Sequence, residues 1–161
     1  MAPSESNRPV KSTRHEADQP PIRRATRADL LAVHRIERAS FPQPWPYAAF
    51  ERFLEEPGFL VAGEDTVYGY VVADTVPNHG TPLGHIKDLA VHPEARGQGT
   101  GSRLLERALV VLSNAGVESV KLEVRESNHG ARRLYERHGF VHRRTVPRYY
   151  DDGEDALILV R

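Results

Sequence analysis

The sequence predicts a mixed α/β sheet with helices on both faces, and three observations lead there. Segments of strand character and segments of helical period follow one another in a mixed order, β-α-α-β-β-β-α-β-α-β-β, which rules out a purely helical or purely β architecture. A glycine-rich turn, Arg96-Gly97-Gln98-Gly99-Thr100-Gly101, joins a strand-like run, His85 to Val91, to a helix-like run from Ser102. The chain has 161 residues, enough for one domain with a core of ordinary size.

Residues 1 to about 21 hold Pro3, Pro9, Pro20 and Pro21 and few large apolar side chains. Such a stretch buries too little surface to offset its chain entropy and is expected to be a disordered tail, with the domain covering residues 22–161. The domain begins near Ile22, Arg23-Arg24-Ala25 reads as the end of a short strand, and Thr26 with Asp29 three positions later has the form of a helix N-cap. Leu30, Leu31, Val33, His34, Ile36 and Glu37 follow at helical spacing to about Ala39. Prolines at 42, 44 and 46 forbid regular helix there; a second helix is expected over Tyr47 to Glu55, before Pro57-Gly58. Phe59 to Ala62 and Val67 to Ala73 read as strands joined by a tight acidic turn. Residues Pro77 to Leu83 form a loop, and His85 to Val91 is the next strand. Leu104, Leu105, Ala108, Leu109 and Leu112 mark one face of a helix over Ser102 to about Ala115. Val120 to Val124 is a strand, Asn128 to His138 a helix closed by Gly139, and Phe140 to Val146 and Ala156 to Val160 are the final strands.

The glycine turn carries the chemistry. Alternate glycines leave its backbone N–H groups unscreened, and the following helix adds its own unpaired N–H groups and the positive end of its dipole. Strand, turn and helix start together suit a phosphate or pyrophosphate. The turn lacks the lysine and Ser/Thr of a nucleotide P-loop and the Gly-x-Gly-x-x-Gly order of a nicotinamide site. Composition excludes other chemistry. The 22 basic and 22 acidic residues cancel, so no large charge excess points to nucleic acid or an anionic membrane. With no cysteine there is no disulfide, no thiolate metal site and no thiol nucleophile. No apolar run approaches a membrane span, and the N-terminus lacks the apolar core of a secretory signal. A cytoplasmic protein without a metal is the expectation.

At this point the residues resemble a family. Arg96-x-x-Gly99-x-Gly101 after a strand resembles the acetyl-CoA pyrophosphate loop of GNAT N-acetyltransferases. Leu122-Glu123-Val124-Arg125-Glu126-Ser127-Asn128, then Ala131, Leu134-Tyr135-Glu136 and Gly139-Phe140, resembles the second half of that fold. Tyr149-Tyr150-Asp151-Asp152-Gly153-Glu154-Asp155-Ala156 is similar to the C-terminal signature of protein N-alpha-acetyltransferases, both RimI-like and NatA-type. Gly84-His85-Ile86 with Leu89-Ala90-Val91 is similar to the NatA-type central strand. The resemblance covers about residues 22–161.

It implies a seven-stranded sheet, flanked by about four helices, that splits where strands four and five diverge. Pantetheine would enter the split and pair with the backbone of Leu89, Ala90 and Val91, with Arg96, Gly97, Gln98, Gly99, Thr100, Gly101 and Ser102 around the pyrophosphate. Acetyl-CoA is the implied co-substrate, and the reaction is direct attack of an amine on its thioester through a tetrahedral intermediate. An α-amine, with a pKa near 7.7–8.0, is already neutral in roughly a tenth of molecules at pH 7, so a modest base suffices. The resemblance offers Glu123 as that base and His85 as the second candidate, facing each other across the split, with Tyr135 as acid for, or hydrogen-bond donor to, the departing sulfur. Asn128 would bind pantetheine or orient the helix of Tyr135. Phe41, Trp45 and Tyr47 would shape the pocket for the first side chain, and Tyr149 and Tyr150 would lie over the peptide N-terminus. Archaeal NatA-type enzymes can carry a glutamate where Gln43 stands here, and glutamine is no base.

The residues also admit plainer readings. The glycines could merely shape a turn, Glu123 could pair with Lys121 or Arg125, Asn128 is equally a helix N-cap, and Tyr135 and the Tyr149-Tyr150 pair could be packing residues. The expected activity is N-terminal acetylation of proteins, with ribosomal-protein and broader substrates both open. The alternatives are acetylation of lysine or a small amine, and a CoA-binding regulatory module without turnover. The expected partners are protein or peptide N-termini, with neither nucleic acid nor membrane bound directly, in a monomer or weak dimer.

Overall fold

The computed structural model of the chain describes residues 19–161. In chain order these form β1 (Ile22–Arg24), α1 (Leu30–Ser40), α2 (Tyr47–Glu51), β2 (Gly58–Ala62), β3 (Gly69–Val76), β4 (Leu83–Val91), α3 (Thr100–Asn114), β5 (Ser119–Arg125), α4 (His129–Arg137), β6 (Val141–Val146) and β7 (Ala156–Val160), with 3₁₀ turns at Arg27–Asp29 and Pro93–Ala95. The element order is the one the sequence predicts. The expected tail lies outside the described residues up to position 18. Pro20 and Pro21 already belong to the domain: the carbonyl of Pro20 accepts from Arg103 Nη1 at 2.6 Å and that of Pro21 from the Gly63 N–H at 2.8 Å.

The entry into α1 shows the expected cap and adds an anchor. Asp29 Oδ2 accepts from the Thr26 N–H at 2.7 Å, and Arg23 grips both carboxylate oxygens at 2.8 Å each. Burial pushes the Asp29 carboxyl up, but Arg23 and Thr26 outweigh it and hold it below the usual carboxylate range. α2 is shorter than the spacing predicts. After Glu51 the backbone tightens into i→i+3 bonds, Phe53 N–H to Phe50 and Leu54 N–H to Glu51, as helices do when they run out ahead of a proline.

Alternation along β2 and β3 sets the two helical layers. Leu60, Ala62, Val71 and Ala73 face one side and pack with Leu104, Leu105, Ala108 and Leu112 of α3 and with Tyr135 of α4. Phe59, Val61, Tyr70 and Val72 face the other side and pack with Leu30, Val33 and Ile36 of α1 and Phe50 of α2. A period of two in the strands thus feeds two separate cores. No helix among the described residues is long and apolar enough to cross a membrane.

The sheet runs in the spatial order β1-β2-β3-β4-β5-β7-β6. Every neighbouring pair is antiparallel except β4 and β5. That parallel pair holds register from Leu83 opposite Ser119 to Ile86 opposite Leu122 and then stops, although β4 continues to Val91 and β5 to Arg125. Beyond Ile86 each strand keeps only its outer partner: β4 stays on β3 and β5 on β7. The sheet therefore opens as a wedge on the C-terminal side of β4 and β5. At its far edge β6 leaves Val141 to Thr145 exposed, with its register shifting between His142 and Arg144.

Gly84 lets α3 settle onto the closed end of that wedge. A Cβ there would meet Val117 Cγ1 at 2.9 Å, Leu112 Cδ1 at 3.0 Å and Val120 Cγ2 at 3.1 Å. Gly84→Ala should therefore lower stability by about 1–3 kcal/mol through overpacking, read as a lower urea midpoint with unchanged slope.

Candidate active site

The strand, turn and helix start that the sequence marks as an anion site fold as one unit. Gly97 and Gly99 take φ of +77° and +82°, the left-handed region that glycine enters without penalty. A Cβ built on either meets nothing within 4 Å, so the space above the turn is open. Gly99 caps α3 without a side-chain hydrogen bond, which leaves the first-turn N–H groups free to point outward. The Arg96 side chain turns back instead, donating to the Val91 carbonyl at 3.0 Å and to Ser40 Oγ at 3.1 Å, and so ties the turn to β4 and α1.

A cavity of about 560 Å³ lies over this turn, lined by Leu89, Ala90 and Val91 of β4, by Arg96, Gly97, Gly99, Thr100, Gly101 and Ser102, and by Asn128, Arg133 and Arg137 from the α4 side. A second cavity, of about 220 Å³, sits in the wedge and is lined by Glu37, Phe41, Gln43, Trp45, Asp88, Glu123, Arg125, Tyr135 and Tyr150 among others. Phe41, Leu89, Asn128 and Ala131 border both. An elongated ligand with a phosphate-rich end at the glycine turn can therefore deliver its other end into the wedge. Asn128 also caps α4, its Oδ1 accepting from the Ala131 N–H at 3.2 Å, so the plainer reading of that residue holds alongside its place in both walls.

The two candidate bases form one hydrogen-bonded pair. His85 Nε2 lies 2.6 Å from Glu123 Oε2, and Lys121 Nζ lies 3.6 Å from Glu123 Oε1. Burial pushes the Glu123 carboxyl up, but His85 and then Lys121 outweigh it, and the group sits below its ordinary value. Glu123 borders the wedge cavity, with His85 as its partner from β4. Tyr135 lines the same cavity. Its phenol is raised above its ordinary value by burial, then by Asp88 and Tyr150, so it keeps its proton and remains a hydrogen-bond donor.

Arg125 links the loops at the rim. It pairs with Asp152 at 2.8 Å and Glu154 at 3.1 Å, stacks 4.0 Å from the Tyr150 ring centroid, and reaches Gln43 Oε1 at 3.3 Å. Burial raises the Tyr150 hydroxyl; Arg125 opposes this and Tyr149 adds to it, leaving it pushed up to about 12. Of the predicted acceptor-side residues, Phe41, Trp45 and Tyr150 border the wedge cavity. Tyr47 packs edge-on against His34, 6.1 Å between ring centroids, outside the lining of both cavities. Tyr149 is half exposed and turns its edge to Tyr150. Gln98 lines a different cavity, with Tyr68 and His92. Buried Glu37 and Tyr70 and half-buried Asp88 form a cluster that the sequence does not single out: Glu37 reads as part of a helical face, and Tyr70 and Asp88 as ordinary strand positions. Among the described residues no group of three or more histidine and acidic side chains is placed to hold a metal ion.

Comparison with known proteins points the same way. Residues 30–140 match the model of the Acetyltransferase (GNAT) family. The chain is 36% identical over 150 residues to an N-alpha-acetyltransferase of Sulfolobus acidocaldarius, spanning 86% of this chain and 89% of that one. It is 32% identical over 139 residues to the ribosomal protein bS18-alanine N-acetyltransferase of Escherichia coli, spanning 81% and 89%. The fold also superposes with a TM-score of 0.81, at 22% identity and over 87% and 96% of the two chains, on a crystal structure of the NatC complex bound to Gag peptide and CoA. The split sheet, the open glycine turn and these matches together place this chain in the GNAT acetyltransferase family.

Proposed function

We propose that the protein transfers an acetyl group from acetyl-CoA to the N-terminal α-amine of proteins or peptides. The observation that carries this reading is a pair of cavities that share Phe41, Leu89, Asn128 and Ala131 in their walls: one over a turn suited to an anion, the other in the sheet wedge with Glu123 and Tyr135 in its wall. The residues fit the cofactor. The glycine turn and the free N–H groups of α3 match a pyrophosphate, Arg133 and Arg137 add positive charge to the same cavity, and the unpaired stretch of β4 offers main-chain groups to an amide-rich arm. Acetyl-CoA supplies a thioester carbonyl as the electrophile.

The chain's own groups do the rest. Glu123 receives the proton of the incoming amine, directly or through one water. Its depressed basicity is adequate because an α-amine is partly neutral near pH 7, whereas a lysine amine would demand a stronger base. His85, in hydrogen-bond contact at 2.6 Å, orients the carboxylate. Tyr135 holds its proton and directs it toward the departing sulfur. Phe41, Trp45 and Tyr150 enclose the first residue of the acceptor, and the Arg125 network fixes the spacing between their loops. The S. acidocaldarius and E. coli relatives, named for α-amine and ribosomal-protein alanine acetylation, support the choice of an N-terminal acceptor.

Three measurements test this. Mass spectrometry after incubation with acetyl-CoA should show acetylation of peptides with free N-termini, and none of N-blocked lysine peptides or polyamines; the reverse pattern overturns the choice of acceptor. Gly99→Glu should abolish acetyl-CoA binding in calorimetry, because a carboxylate would project into the anion site; unchanged affinity removes the turn from the site. Glu123→Gln should lower kcat on the order of 100-fold or more, and adding His85→Gln should cost less than about threefold further, since the two act in series. A multiplicative loss would mean that they act separately.

A further inference from the structure

Three side chains from three elements meet at the wedge cavity, Glu37 and Asp88 in its wall and Tyr70 behind them, and the chemistry above uses none of them. Glu37 of α1 is 2% exposed and Tyr70 of β3 fully buried. Glu37 Oε1 accepts from the Trp45 N–H at 3.0 Å, and Glu37 Oε2 accepts from the Tyr70 hydroxyl. Tyr70 Oη also lies 3.3 Å from Asp88 Oδ2, and Asp88 Oδ1 accepts from the Leu89 N–H at 3.0 Å. A phenol has one proton. Tyr70 can therefore meet both carboxyl groups favourably only if one of them brings a proton of its own. The surroundings supply that condition: burial first, then the adjacent Glu37, hold the Asp88 carboxyl well above the usual range. A buried polar group this costly to leave unsatisfied is retained where its contacts fix a geometry.

The ends of the chain of contacts show which geometry. Trp45 belongs to the proline-broken loop that walls the acceptor side of the cavity, and Leu89 to the free stretch of β4 that borders both cavities. We propose that Glu37, Tyr70 and Asp88 are positioning residues for acetyl transfer: Glu37 holds the acceptor loop through the Trp45 amide, Asp88 holds the peptide plane of Leu89 on the donor side, and Tyr70 locks the two together. This rests on the acetyltransferase reading of the site. The cluster touches no reacting atom in this role; it sets the distance between two walls that must hold an amine and a carbonyl in attack geometry, where small displacements weigh heavily on rate.

The test needs no bound ligand for its first arm. Trp45 is the chain's only tryptophan, so intrinsic fluorescence reports on the loop alone. Tyr70→Phe, which removes one oxygen, and Glu37→Leu should each shift Trp45 emission to the red in the ligand-free protein. In kinetics with an N-terminal peptide, both should raise peptide KM or lower kcat by about tenfold, while the acetyl-CoA Kd stays within about twofold. Asp88→Asn, whose carboxamide reproduces the donor and acceptor of a protonated carboxyl, should keep parental emission and kcat within about threefold, whereas Asp88→Leu should lose about tenfold. Parental emission and kinetics in Tyr70→Phe, or equal damage from Asp88→Asn and Asp88→Leu, overturns the proposal. So does an acetyl-CoA Kd that weakens in step with peptide KM, the mark of a merely structural role. If Glu37→Leu does not fold, Tyr70→Phe and the Asp88 pair decide. If the parent acetylates no peptide, the transferase reading fails by that result alone, and the emission arm still shows whether the cluster holds the loop.

Discussion

The interaction on which this structure depends is one that ends early. Four residue pairs join β4 to β5, from Leu83–Ser119 to Ile86–Leu122, and then the parallel ladder is gone. Main-chain donors and acceptors left this way inside a protein carry a penalty of about 1–3 kcal/mol each unless something meets them. The closed end makes the open end tolerable. Gly84 lets Leu112, Val117 and Val120 close tightly over the paired stretch, while β3 and β7 hold the outer sides of the diverging strands. The wedge is thus an aperture between two well-supported walls, and Glu123, Tyr135 and Leu89 line it.

Charge within the wedge is arranged so that each acid has a different fate. Glu123, between His85 and Lys121, is held ionised. Asp88, only one strand away but shut against Glu37 and Tyr70, is driven toward the protonated form. Tyr135, buried and acted on by Asp88 and Tyr150, keeps its proton. Two carboxyl groups in one cavity are therefore differentiated by neighbours and not by residue type, the pattern by which proteins assign proton acceptors and proton holders within a single site.

Much of this was legible in the sequence. Glu123, His85 and the β4 edge at Leu89 to Val91 stood out only through the family resemblance; element order and the glycine turn follow from local periodicity and turn chemistry, which are properties of contiguous residues. The Thr26–Asp29 cap was readable for the same reason. What remained hidden is made by contacts between distant segments. Glu37 follows Ile36 on a helical face and looks like the last residue of an amphipathic stripe; only the arrival of Tyr70, Asp88 and the Trp45 amide gives it a task. Tyr47 shares the aromatic character of Phe41 and Trp45, yet α2 turns it toward His34, a rotation that composition does not encode. The hydrogen bond from Arg125 to Gln43 spans 82 positions, far beyond any local pattern.

The two margins of the sheet differ in a way that bears on its behaviour among other chains. One ends in β1, three residues long; the other ends in β6, exposed along most of its length and carrying His142, Arg143 and Arg144. Unpaired strand margins are templates for runaway stacking, and brevity and like charge are two ways of spoiling a template. A second copy approaching from one flank finds too little backbone to zip onto, and from the other the two guanidinium groups of Arg143 and Arg144, which would have to be stripped of water. A sheet that must stay open in its middle is thereby protected from fibre growth at its margins.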